Sequence, residues 1–90
     1  MSTVRIPHVL RASAGGNKQV EVPGASVGEL VSGLVAEYPS LRGQLLTDDG
    51  DLNRFVNVYV NGQDVRYLGG LATPVEARDE VRLLPAMAGG

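Results

Sequence analysis

Ninety residues bound the chain to one domain, and with no cysteine, no tryptophan, one phenylalanine and three tyrosines its core has to be built from Val, Leu, Ile and Ala. The missing cysteine excludes disulfides, zinc–thiolate sites, redox dithiols and thiol nucleophiles together, and a formal net charge of −2 argues against the basic face that nucleic-acid binding demands. No apolar run approaches the ~20 residues of a bilayer span, and the opening "MSTVRIPHVL" lacks the pattern of a secretory signal, so a cytoplasmic location is expected.

In chain order, "TVRIP" alternates apolar Val4 and Ile6 with Thr3 and Arg5, which predicts a half-buried strand. "RASAGGNK" reads as a turn, and "QVEV" alternates again through Val20 and Val22, so residues 3–22 are expected to form a hairpin that ends at Pro23-Gly24. Ser26 with Glu29 three residues on is a capping box. Val27, Leu30, Val31, Leu34, Val35 and Tyr38 then mark one stripe of a helix that Pro39 stops. Gly28 and Gly33 each weaken such a helix by up to about 1 kcal/mol relative to Ala, so packing against a sheet has to hold it.

"LRGQLL" predicts a further short helical turn and "TDDGDLN" a solvated, mobile loop. "RFVNVYV" is a strand with Val56, Val58 and Val60 on one side and Phe55, Asn57 and Tyr59 on the other. Asn61-Gly62 predicts a type I′ hairpin turn, after which "QDVRY" returns as a strand. "LGGLATPVEARD" reads as loop and turns, and "EVRLLPA" as the last strand, Val81 and Leu83 inward, Arg82 and Leu84 outward. The order β-β-α-β-β-β with one amphipathic helix predicts an α+β roll over residues 1–90, in which residues 85–90 form a flexible C-terminal tail. Should the first and last strands lie side by side at the centre, the roll is a β-grasp.

Most chemical motifs fail on spacing. Asp48, Asp49 and Asp51 cluster around Gly50, but the twelfth position of an EF-hand counted from Asp48 is Tyr59, inside a strand. "AGGNK" is too short for a P-loop, and no helix follows Gly69-Gly70 to make a phosphate cradle. The single histidine, His8, lacks an orienting partner and a nucleophile and is expected at the surface. No catalytic set and no metal site emerge, so the chain is expected to be a protein acted upon rather than an enzyme, with no bound cofactor.

The chain ends "LLPAMAGG", apolar, uncharged and finally without side chains. At about 3.3–3.6 Å per extended residue the stretch after Leu84 spans ~20 Å, enough to thread a partner's channel through Ala86, Met87, Ala88 and Gly89 and present the carboxylate of Gly90. Glycine fits a narrow channel and tolerates any backbone angle. Attack of that carboxylate on the α-phosphate of ATP gives an acyl-adenylate. The ATP and the Mg²⁺ that brings two anions together belong to the activating partner.

The segment "FVNVYVNGQDVRYLGGLATPVEARDEVRLLPAMAGG" resembles the ubiquitin-like sulfur carriers of the MoaD/ThiS family, with "GGLAT" and "LLPAMAGG" pointing to the CysO type. The likeness extends to "VRIPHVLR" and the capped helix, although motifs after Phe55 carry most of it. It implies a β-grasp fold and adenylation of Gly90 by an E1-like enzyme. It further implies conversion to a thiocarboxylate and sulfur delivery to a biosynthetic enzyme. For the CysO type it implies a cysteine synthase using O-phosphoserine and a metal-dependent peptidase. A secondary-metabolite synthase is another sulfur acceptor the family allows. The chain departs from the family in carrying Arg78-Asp79 where Gly-Asp usually precedes the last strand. A cysteine-free carrier has no thiol to hold its cargo, which leaves the C-terminal carbonyl.

Partner recognition is expected on the sheet face beside the tail, with Leu84, Arg82, Phe55 and Tyr59 as the patch; a second small core under residues 39–54 is the other place for the aromatics. A ubiquitin-like modifier joined to lysine through Gly90 requires the same activation, and a binding module indifferent to its tail is the third reading.

Overall fold

The computed structural model describes residues 1–85. Strands β1 (Ser2–Arg5) and β2 (Gln19–Val22) form the predicted antiparallel hairpin, with Val4 opposite Val20. Their connection is more than a turn. Pro7 leads into a 3-10 helix, His8–Ala14, which buries Leu10 and Ala14 and closes on Gly15 at φ 67°. The left-handed value at Gly15 is one that an L side chain rarely adopts.

Helix α1 (Val27–Glu37) starts at Ser26, whose Oγ accepts the Glu29 amide proton at 3.2 Å. The Glu29 carboxylate reaches back to the Ala25 amide at 3.0 Å, one residue before the cap. Val27, Leu30, Val31 and Leu34 are buried, with Val35 and Tyr38 at the margin of the stripe. Pro39 opens a 3-10 turn, Pro39–Leu41, that runs into α2 (Arg42–Leu45) and buries Leu41 and Leu45. Gly33 explains why a mid-helix glycine is present: a Cβ there would stand 2.6 Å from Val22 Cγ1, so its absence lets α1 lie close on β2.

The acidic loop is pinned at its base. Leu46 and Leu52 form an antiparallel bridge and the Thr47 amide donates to the Asp51 carbonyl at 2.8 Å, while Asp48, Asp49 and Asp51 stay exposed. Strand β3 is Val56–Val60, starting later than the pattern predicts. Asn61 (φ 50°) and Gly62 (φ 85°) are both left-handed, as a type I′ turn requires. Strand β4 is only Gln63–Asp64, because the Asp64 carboxylate accepts the Arg66 amide proton at 2.9 Å and starts a 3-10 helix, Val65–Tyr67. A further 3-10 turn, Gly70–Ala72, is tied over the start of α1 by the bond from the Val27 amide to the Thr73 carbonyl at 2.9 Å.

Strand β5 (Glu80–Pro85) completes a five-stranded sheet of order β2-β1-β5-β3-β4. β1 and β5 are parallel neighbours at its centre, and the other pairs are antiparallel. This is the β-grasp arrangement. Pro85, which the sequence places both in the last strand "EVRLLPA" and at the start of the tail, is the last residue of β5, opposite Val56. A strand end accommodates a residue without an N–H. Among the described residues no helix is long and apolar enough to cross a membrane.

Candidate functional site

The site is built around β5, the strand that leads into residues 86–90. Val81 and Leu83 point into the core, while Glu80, Arg82 and Leu84 face outward, as the alternation predicts. Register places Arg82 beside Tyr59 of β3 on one flank and Arg5 of β1 on the other, and places Leu84 beside Asn57. Glu80 bridges the two guanidinium groups, 3.4 Å from Arg5 and 3.3 Å from Arg82. These half-exposed pairs contribute at most about 1 kcal/mol each, but they order the outward face of the central strands.

Tyr59, Arg82 and Leu84 are brought together around one shallow hollow of about 170 Å³, with Gly62 and Glu80. Phe55 lies elsewhere. It borders a separate hollow of about 310 Å³ with Val9, Gln44 and Pro85, where 61% of the ring residue is exposed and the Arg54 guanidinium stands 5.4 Å from the ring centroid. Its exposure also removes Phe55 from the small core that was its alternative place. Arg66 positions this approach to β3. Its Nη2 donates to the Asn53 carbonyl at 3.0 Å and the Val56 carbonyl at 2.8 Å, and Nη1 bonds to Asn57 Oδ1.

The turn before β5 is ordered by Asp79. Its carboxyl is held below the ordinary aspartate value, first by the Glu76 amide proton, then by the Asn61 side chain and by the Arg78 charge. Arg78 keeps a negative φ and pairs with Glu76 at 3.6 Å, so the departure from Gly-Asp leaves an ordinary four-residue turn closed by the Asp79 amide on the Glu76 carbonyl at 3.0 Å. His8 is exposed at the start of its 3-10 helix, as expected. Among the described residues no three His, Asp or Glu side chains gather as a metal site would need. Ala86, Met87, Ala88, Gly89 and Gly90, the threading and reactive residues expected from sequence, lie outside the described residues.

Sequence reasoning missed Val9, 66% exposed beside Phe55, and the cations that flank Arg82. Arg5 was visible as an outward strand position, whereas Val9 and Arg11 depend on a 3-10 helix that no periodicity announced.

The model of the ThiS family matches residues 4–90, from β1 through Gly90. The chain belongs to the ThiS family. It is 47% identical over 90 residues to sulfur carrier protein CysO of Mycobacterium tuberculosis, covering 98% of this chain and 97% of that protein. A chain of the Amycolatopsis orientalis BexX/CysO complex superposes with a TM-score of 0.90 at 42% identity, covering 100% of both. Small archaeal modifier protein 3 of Haloferax volcanii is 42% identical over 66 residues, 73% of this chain and 71% of that protein. The ThiS-family chain is thus a homologue of sulfur carriers with ubiquitin-like relatives, and its likeness to the CysO proteins runs through the whole β-grasp.

Proposed function

We propose that the chain carries sulfur on its own C-terminus as a cytoplasmic co-substrate without a catalytic site. The Gly90 carboxylate attacks the α-phosphate of ATP within an E1-like enzyme, pyrophosphate leaves, and the acyl-adenylate forms. Hydrosulfide from a sulfur source then displaces AMP and leaves a thiocarboxylate. Its softer, more nucleophilic sulfur attacks a substrate on a biosynthetic enzyme, with cysteine synthesis favoured by the CysO likeness: phosphate leaves O-phosphoserine, the product stays joined to the Gly90 carbonyl, and a peptidase hydrolyses that bond, releasing the product and restoring the carboxylate. ATP and Mg²⁺ act in the activating partner. The observation that carries this reading is the near full-length identity to sulfur carriers, reinforced by a family match that extends to Gly90.

The chemistry of the chain is consistent with it. A cysteine-free sequence offers no side-chain thiol for the cargo, and the outward Tyr59, Arg82 and Leu84 give a partner a mixed apolar and cationic surface next to the strand that leads to Gly90. Threading of Ala86, Met87, Ala88 and Gly89 into the partner would present a carboxylate with no Cβ to obstruct it.

The test is intact mass after incubation with ATP, an E1-like enzyme and sulfide. Replacement of one oxygen by sulfur at Gly90, lost on deletion of Gly90, is the expected result. An unchanged mass with an enzyme that charges other members of the family overturns the proposal.

The identity to small archaeal modifier protein 3 favours one second reading, conjugation of Gly90 to lysine. Covalent adducts on other proteins, formed without sulfide, would select it.

A further inference from the structure

We propose that the groove between β1, the 3-10 helix His8–Ala14 and β5 docks an acidic segment of the protein that receives the chain's last residues. The proposal rests on the carrier reading only in supposing such a receiving protein. Arg5, Arg11, Lys18 and Arg82 come from four separate stretches of the chain and line one groove of about 250 Å³, with Leu84 of β5 and Pro7 as its apolar wall. Half of the eight Lys and Arg residues gather here, on a chain whose net charge is −2. Among the described residues one carboxylate, Glu80, reaches the cluster, at 3.4 Å from Arg5 and 3.3 Å from Arg82. Glu21 lies opposite Thr3 in the register and, among the described residues, forms no ion pair with these cations. Among the described residues four cations against one carboxylate leave a local surplus of three positive charges.

Such a surplus repels itself in the free protein and is relieved when opposite charge docks. Arg11 uses its Nε to hold the Ile6 carbonyl at 3.1 Å, which fixes the stem of the guanidinium. Among the described residues neither Arg11 nor Lys18 has a carboxylate partner. The forked donors of arginine match carboxylate geometry. Among the described residues no glycine lines the groove to give the close backbone cradle of a phosphate site, and its apolar wall suits a peptide instead. Leu84 belongs to β5, which ends at Pro85 directly before residues 86–90 in sequence, so a protein holding the chain's last residues is brought close to the groove.

The test is a ¹H–¹⁵N NMR titration of the full chain with a capped hexaglutamate peptide at low salt, with inorganic phosphate in parallel. Saturable shifts confined to the backbone around Arg5, Arg11, Lys18 and Arg82 are expected, and added salt reverses them. Lys18→Glu weakens binding several-fold and Arg11→Glu with Lys18→Glu about tenfold. Lys18→Glu alone keeps the test decisive should Arg11→Glu loosen its 3-10 helix. Shifts that are absent or scattered over the surface overturn the proposal, as does phosphate saturating the same amides at lower concentration than the peptide. No ATP or sulfide enters the titration. A chain that acquires sulfur but ignores the peptide refutes the groove alone, and one that binds the peptide but takes no sulfur refutes the carrier reading alone.

Discussion

Gly33 and Val22 are in such close approach that a Cβ on Gly33 would stand 2.6 Å from Val22 Cγ1. Alanine is the better helix former by up to about 1 kcal/mol, yet Gly33→Ala is expected to destabilise the fold by about 1–2 kcal/mol through overpacking against a stiff, buried valine. Gly43→Ala has the opposite sign, because nothing lies within 4 Å of the new Cβ, and should stabilise by up to about 1 kcal/mol. Urea unfolding of the two variants reads both signs, and Val22→Ala should rescue Gly33→Ala alone.

Asn61 locks the turn that precedes β5. Its Oδ1 accepts the Glu80 amide proton at 2.9 Å and its Nδ2 donates to Asp79 Oδ1 at 3.0 Å. Asn61→Gly retains the left-handed backbone and loses the side-chain bonds, costing about 1 kcal/mol; Asn61→Ala adds backbone strain for a total of about 2 kcal/mol. Thermal unfolding orders wild type above the glycine variant and glycine above alanine.

Asp79 gives that turn an acid dependence. Its folded pKa is lowered from 3.8, so its contribution is present above the unfolded value and lost as pH falls through the folded one. Asp79→Asn should therefore be less stable than wild type near neutral pH and converge with it below the ordinary aspartate range. Unfolding midpoints measured across acid pH check the convergence.

Arg66 satisfies two carbonyls and an amide oxygen at once, holding Asn53, Val56 and Asn57. A lysine carries one point charge in place of the fork, so Arg66→Lys should lose about 1–2 kcal/mol, much as Arg66→Ala does. Hydrogen exchange at the Val56 amide, which bonds to the Asn53 carbonyl at 3.1 Å, should accelerate more than at Val58.

Leu84 is 37% exposed, so Leu84→Asp should leave folding intact. If the patch binds the activating enzyme, the KM for charging rises by about tenfold with kcat little changed, the mark of lost uniform binding. Thiocarboxylate formation followed by mass against carrier concentration separates the two constants.

The elements with a strong period were legible from sequence: α1 through its cap and stripe, β3 and β5 through alternation, the turn through Asn61-Gly62. The 3-10 helix after Pro7 was not, because Leu10 and Ala14 alone mark its buried side. β4 is shorter than "QDVRY" predicts because the capping carboxylate of Asp64 outweighs the β propensity of "VRY". Within the site, outward Leu84 and Arg82 followed from alternation. The separation of Phe55 from Tyr59 did not, since it depends on where Arg66 and the 3-10 helix place the entry to β3.

The parallel contact of β1 with β5 has a mechanical consequence. A force that draws the C-terminal end of β5 away from the start of β1 loads the register pairs from Thr3 to Arg5 in shear, all at once, and those between β3 and β5 share the load. Strands pulled in this geometry cannot be peeled one bond at a time. A pull on the end of β5 therefore draws the domain along intact.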